Sequence, residues 1–399
     1  MGNELPSNIK EEHDQTRVGT LAIDLGNSTT VVAFQGERES YPLLLDLPPI
    51  TRIQGEVPSL VYISESKENK KILIGNEILN LNFSGENIKR ITSDFKRWIG
   101  SESSPEEREF IISPEKAGEI LLQGIWREIP NIFHIRRLVL TAPVETYRAY
   151  RAWLHKACSD LPIEEVALVD EPTAAAMGAG LPAGSKLLVV DIGGSTTDFS
   201  LVALEGGEGR AEPIAQLMRF DGQDLQGKSN QILRCAKVLG KAGIRLGGRD
   251  LDRWIANYLL PEEPLTEELL NAAERLKCRL SANGLNPIEV LIEEIEENKS
   301  KHFSLSKSQF EDLLISKNFL KSLEVLLEKT LAGGRANGCY LADLKGVVIV
   351  GGGARIPLIR EWLQKATDPA KLLTPPPIEA VAIGALKLTP GVKIKDILQ

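Results

Sequence analysis

Two stretches decide the fold: LAIDLGNSTT at residues 21–30 and LVVDIGGSTT at residues 188–197. Each reads as a buried strand, an Asp, an apolar residue, a Gly, and a Ser-Thr-Thr run that leads into a second strand (31–34 and 199–203). A strand–turn–strand repeated in each half of the chain predicts two similar lobes. A second repeat keeps step with the first. EPTAAAMGAG (171–180) and EAVAIGAL (379–386) both open on Glu and carry Ala and Gly at most positions. Small residues let helix backbones approach closely, and Pro172 suits a first helical turn. The pairing predicts two helices crossed beneath a cleft between the lobes.

Strands and helices alternate around these repeats. Strands are expected at 138–141, 166–170, 186–192 and 346–350. Helices are expected at 144–161, at 266–281 with Thr266 as its cap, at 309–332 with a break near 317–318, and at 357–366. Alternation of this kind makes the class α/β. The run PPP at 375–377 marks a chain crossing between lobes.

Composition narrows the function. The chain has 399 residues, 42% hydrophobic and 26% charged, which excludes wholesale disorder and fibrous architecture. A net charge of -8 argues against a nucleic-acid or anionic-membrane partner. Cys158, Cys235, Cys278 and Cys339 are widely spaced without a CxxC pair, which suits a reducing, cytoplasmic setting. No apolar run approaches the ~18 residues of a membrane span. Residues 1–17 are polar with both charge signs, so they read as a disordered tail; Pro6 also breaks the myristoylation pattern. His13, His134, His155 and His302 share no spacing that suggests a metal set or a catalytic triad.

The two turns look like a phosphate clamp. Gly26, Gly193 and Gly194 permit close backbone approach, so amide N–H groups face an anion. Ser28, Thr29, Ser195 and Thr196 add hydroxyl donors. Asp24, Asp191 and Glu171 would repel a phosphate chain directly. Their presence calls for a divalent cation between them, and oxygen ligands with phosphate point to Mg²⁺ held largely through water. A rival phosphate motif, GQDLQGKS, stands at 222–229 between a strand-like run (214–220) and a helix-like run (231–239). A phosphate-loop enzyme needs a later apolar strand ending in a metal-binding Asp, and the LLVVD stretch comes before the motif. The segment is therefore expected to be a surface extension of lobe II, with Lys228 dispensable for nucleotide binding.

Nine segments in order resemble the sugar kinase, heat-shock chaperone and actin superfamily of split ATPases, and within it the DnaK-type heat-shock chaperones. They are AIDLGNSTT, SDFKRWIG, LTAPVETYRAYR, VDEPTAAAMGAG, VVDIGGSTTDFS, LGGRDLDRWI, ERLKCRLSA, VIVGGGARIP and EAVAIGA, spanning residues 19–388. The resemblance implies a two-lobed actin-like ATPase fold built on ribonuclease H-like repeats, with ATP or ADP in the cleft. It implies lobe I at 18–185, lobe II at 186–377, a C-terminal helix at 378–391 returning to lobe I, and the start of an interdomain linker at 392–399. Asp24, Glu171 and Asp191 match the acidic residues that organise Mg²⁺ and its waters. Lys96 matches the catalytic lysine, and Thr196 and Asp198 match residues near the γ-phosphate and attacking water. Gly26, Asn27, Ser28, Gly193, Gly194, Ser195 and Gly248 fall at the phosphate turns. Glu274, Lys277 and Ser281 match the helix that contacts ribose and adenine; Gly351, Gly352, Gly353 and Arg355 match the adenosine loop, with Arg355 stacking on the purine. Pro143 and Arg151 resemble switch residues that relay nucleotide state. The family also admits a K⁺ ion.

Four positions depart from the family pattern: Asn27 for Thr, Cys278 for Arg, Gly353 for Ser, and Ile378 for an acidic residue. The resemblance implies client polypeptides bound by a further C-terminal domain, a J-domain co-chaperone and a nucleotide-exchange factor. The ending VKIKDILQ resembles the start of the family's linker, so the chain is expected to be a nucleotide-domain fragment. An actin-like filament-forming ATPase and a non-hydrolysing nucleotide-dependent scaffold remain as alternatives.

Overall fold

The computed structural model describes residues 16–65, 70–81, 90–101, 111–142, 147–163, 165–182, 184–204, 215–219, 236–281, 288–294, 299–367, 372–373, 375 and 378–387. Two mixed sheets repeat one plan. In the first, strand Arg17–Asp24 pairs antiparallel with Thr29–Gly36 and parallel with Phe133–Ala142, which is parallel to Glu165–Asp170. In the second, Lys186–Ile192 pairs antiparallel with Thr197–Leu204 and parallel with Leu344–Val350. Each sheet thus opens with the hairpin whose turn carries the Asp-x-Gly sequence. We call the first sheet with its helices lobe I, and the second with its helices lobe II.

The strands bury both faces, and alternate side chains enter different cores. Leu21, Ile23 and Leu25 face an outer core of large residues, while Ala22 faces the opposite side. In lobe II, Leu188, Val190 and Ile192 face outward, and Leu187 and Val189 face inward. Period-two alternation makes this division possible. The inner faces meet a third core rich in alanine, supplied by helix Glu171–Gly178 and helix Ala380–Lys387. Asp170 caps the first of these, its carboxylate accepting from Thr173 N at 2.8 Å, and Pro172 lies in the first turn. A Cβ on Gly384 would overlap the Ala174 carbonyl, and one on Gly178 would overlap that of Ala380. These two helices therefore cross with backbone against backbone, as the Ala/Gly repeats predict.

Other expectations hold at the level of local chemistry. Thr266 Oγ1 accepts from Leu269 N at 3.2 Å at the start of helix Glu267–Ser281. The long helix breaks into Lys307–Ser316 and Phe319–Ala336, with Asn318 in left-handed backbone (φ 55°) between them. Helix Pro357–Ala366 follows the expected bounds.

The insertion after Leu204 differs from its reading. Strand Ala215–Arg219 pairs antiparallel with Glu165–Asp170, so it extends the sheet of lobe I rather than lobe II. Residues 236–239, read as the end of a helix, open strand Ala236–Ile244, which pairs with Thr197–Leu204. An exposed backbone edge on Thr197–Leu204 takes up these residues despite their helix-like composition. The motif at 222–229 lies outside the described residues, as do Pro143, the tail at 1–15 and the end at 388–399.

Candidate functional site

The two repeated turns face one another across the lobes. A Cβ on Gly194 would overlap Ser28 Oγ, so the lobe II turn lies directly against the lobe I turn. Each turn is tied to its own lobe. Ser59 donates to the Gly26 carbonyl at 2.7 Å, and Gly193 N donates to Thr196 O at 2.9 Å. Helix Gly248–Leu259 abuts the second turn. Gly248 N donates to Gly193 O at 2.9 Å and Arg249 N to Gly194 O at 2.6 Å. A Cβ on Gly247 would stand 2.7 Å from Ser195 N, which explains the first glycine in LGGRD.

Behind the turns lies a buried charge cluster. Lys96, on the 3₁₀ turn Lys96–Trp98, donates to Glu171 Oε1 at 2.5 Å, with only 7% and 18% of the two side chains exposed. Asp24 ends the first strand and accepts from Thr141 Oγ1. The Asp24 carboxyl is raised to about 6, chiefly by burial and also by Glu171, against the pull of Lys96 and Thr141. Asp191 is raised well above the usual carboxylate range by burial and then by Glu171, Asp198 and Asp24. Burial opposes the charge on Lys96, but Glu171 and Asp24 outweigh it and hold the ammonium protonated above its ordinary range. The Tyr150 phenol, buried beside the same groups, is pushed upward chiefly by burial. The result is an excess of negative charge at the base of the cleft that one lysine only partly offsets.

A cavity of ≈ 880 Å³, within the size range of a small-molecule site, opens beside the two turns; Asp24, Lys96, Glu171 and Asp191 are not among its lining residues. Asn27, Ser28, Gly194, Gly248, Glu274 and Lys277 line it, so six of the sequence-derived candidates share one space. Lys277 reaches across to the Gly248 carbonyl at 2.9 Å and to Asp252 at 2.7 Å. Ser281 turns back, its hydroxyl donating to the Lys277 carbonyl at 2.8 Å. The Gly351–Gly353 loop packs on the end of the Asp191 strand. Gly351 has φ 80°, and a Cβ there would stand 2.6 Å from Asp191 Oδ1. A Cβ on Gly353 would overlap the Ile192 side chain, which accounts for Gly where the family pattern has Ser. Arg355 is near enough to pull on Glu56. Asp198 faces Asp191 across the hairpin. Arg151 is half-buried on helix Tyr147–Cys158, next to Tyr150.

Several residues at the site had no assigned role in the sequence reading. Thr141, Asp94, Arg249 and Asp252 all sit inside the quoted motifs, where motif order signalled the segment but not the contact. Glu56 had no signal at all. It is buried on the cavity wall, and its carboxyl is raised by burial and by Glu379, with Arg355 and Arg52 opposing.

The Hsp70 protein family model matches residues 237–395, and the MreB/Mbl protein model matches residues 108–209. The chain is 26% identical over 392 residues to chaperone protein DnaK of Thermosipho melanesiensis, covering 92% of this chain and 58% of that protein. It is 28% identical over 307 residues to chaperone protein dnaK3 of Synechocystis, covering 72% of this chain and 36% of that protein. DnaK of Thermosipho africanus is 24% identical over 391 residues, with 92% and 58% coverage. The chain thus spans between about a third and three fifths of the length of these curated relatives. Repeated hairpins, crossed alanine-rich helices and these matches together make the chain similar to Hsp70-type nucleotide-binding domains of the actin-like ATPase fold.

Proposed function

We propose that the chain binds ATP in the cleft and hydrolyses it slowly, and that hydrolysis lets the lobes move relative to one another. The observation that carries this reading is the contact of the Gly194 turn with the Ser28 turn above the Lys96–Glu171 pair. Backbone amides and hydroxyls of both turns suit a phosphate chain that touches both lobes. Lys96 supplies the positive charge that stabilises the γ-phosphoryl group and helps orient the attacking water. Thr196 and Asp198 stand on the lobe II hairpin near that position. Glu274, Lys277 and Ser281 receive the ribose and adenine, with Arg355 on the purine. Loss of γ-phosphate contacts would free the turns from one another.

The donor set suits Mg²⁺. Glu171 acts on both Asp24 and Asp191, so the three carboxylates stand together with excess negative charge. Among the described residues no three acidic, His or Cys side chains converge into a direct metal cage. That arrangement fits a magnesium ion that keeps its waters and meets carboxylates through them. When bound, the ion neutralises phosphate charge.

We propose further that this motion regulates binding of client polypeptides, with a J-domain co-chaperone and an exchange factor as partners. Among the described residues no helix is long and apolar enough to cross a membrane; a cytoplasmic setting is part of the proposal. Phosphate release by wild type against Lys96→Ala tests hydrolysis, and equal rates would reject it. The MreB/Mbl match over residues 108–209 favours one second reading, an actin-like filament ATPase. Sedimentation with ATP separates the two, since polymer in the pellet supports the filament.

A further inference from the structure

The turn that carries Lys96 belongs to lobe I by chain connection but is held from lobe II as well. Its lobe I anchors are apolar. Phe95 and Ile99, on either side of the turn, are fully buried in the lobe I core. Asn27 adds a polar tie, its Oδ1 accepting from Arg97 N at 3.1 Å. The opposite anchors come from lobe II. Asp94, buried and in left-handed backbone (φ 56°), accepts from Ser195 Oγ at 3.0 Å and lies 3.7 Å from Arg249 Nε. Left-handed backbone at a residue other than Gly persists only where its surroundings hold it. Trp98 closes the turn. Arg245, which follows strand Ala236–Ile244 of lobe II, places its guanidinium 4.9 Å from the Trp98 ring centroid, and Arg97 stands at 5.2 Å. The indole N–H is buried without a hydrogen-bond partner among the described residues, so the ring itself takes the hold.

We propose that Arg245 is a positioning residue for Lys96: by gripping Trp98 from lobe II, it sets the place of the lysine according to where lobe II stands. The turn is only three residues long, so a shift of Trp98 is a shift of Lys96. Asp94 and Ser195 grip the other end of the segment, which makes the lysine turn a two-point bridge. Lobe placement thereby reaches the lysine through protein contacts in addition to any through the nucleotide. The inference rests on the hydrolysis reading above.

Steady-state phosphate release tests it with wild type, Lys96→Ala, Arg245→Ala, Arg245→Lys and Trp98→Leu. Arg245 is exposed, so its truncation leaves the fold intact. Arg245→Ala and Trp98→Leu are each expected to lower kcat about fivefold with KM within about twofold, the scale of one lost cation–π contact. Arg245→Lys keeps a cation over the ring and is expected to recover most of the rate. The double variant Arg245→Ala/Trp98→Leu is expected to lose no more than either single one, because both remove one contact. An Arg245→Ala enzyme with wild-type kcat beside an inactive Lys96→Ala overturns this proposal alone. Wild-type release by Lys96→Ala overturns the hydrolysis reading and this proposal with it.

Discussion

Lys96 and Glu171 form a buried ion pair, 2.5 Å between Nζ and Oε1, across 75 residues of chain. The lysine is the cation that Glu171, Asp24 and Asp191 share at the floor of the cleft. Lys96→Met leaves those carboxylates without it and is expected to cost about 3 kcal/mol of stability. An acid whose folded pKa is raised costs stability as pH rises from its unfolded pKa to its folded one, and the cost is complete above the folded pKa. The loss should therefore be larger near pH 8 than near pH 5. Urea denaturation at both values checks this; a loss independent of pH counts against the shared-charge account.

Gly194 leaves no room for a side chain against Ser28. Gly194→Ala is expected to push the two turns apart and weaken ATP binding about tenfold, close to 1.4 kcal/mol. Only a small change in melting temperature should accompany it, because the strain is relieved at the cleft rather than in a core. Titration with a fluorescent nucleotide reads the effect.

Gly384 meets the Ala174 carbonyl where the two alanine-rich helices cross. Gly384→Ala forces backbone atoms apart at the core shared by both lobes, at an expected cost of about 2–3 kcal/mol. Chemical denaturation measures it, and a variant as stable as wild type would mean that the helices slide freely.

Asp252 is buried beside Lys277, and burial pushes its carboxyl to about 6 even with Lys277 pulling it down. In the unfolded chain this group titrates near ~4. The folded state thus holds a proton that the unfolded state gives up between these values. Stability contributed by this site falls as pH rises from about 4 to about 6 and is level above that. Asp252→Asn should remove this component, so the wild-type and variant stability curves should run parallel below about pH 4 and above about pH 6 and differ in slope between these values.

Much of the fold was legible because it rests on local pattern. The hairpins at Asp24 and Asp191 show in alternation and in glycine placement, and the crossing of 171–178 with 380–387 shows in repeated small residues. Residues 236–239 were misread because pairing with Thr197–Leu204 overrides a helix-like composition. Sequence order puts Ala215–Arg219 within lobe II, yet the strand joins the sheet of lobe I, because no local feature names the sheet edge that a strand will join.

For the site, the sequence by itself determined which groups could do chemistry: two Asp-x-Gly turns with hydroxyls, a glutamate opening a helix, a lysine in SDFKRWIG, and a glycine-rich loop after a buried strand. Only the tertiary structure decided that Gly194 lies against Ser28, that Lys96 is buried on Glu171, and that Asp94 and Trp98 reach Ser195 and Arg245 of the other lobe. The physical reason is range. Turn and helix propensities act over a few neighbouring residues, whereas an ion pair or a ring contact between distant segments exists only after two cores have packed and set the separation between them.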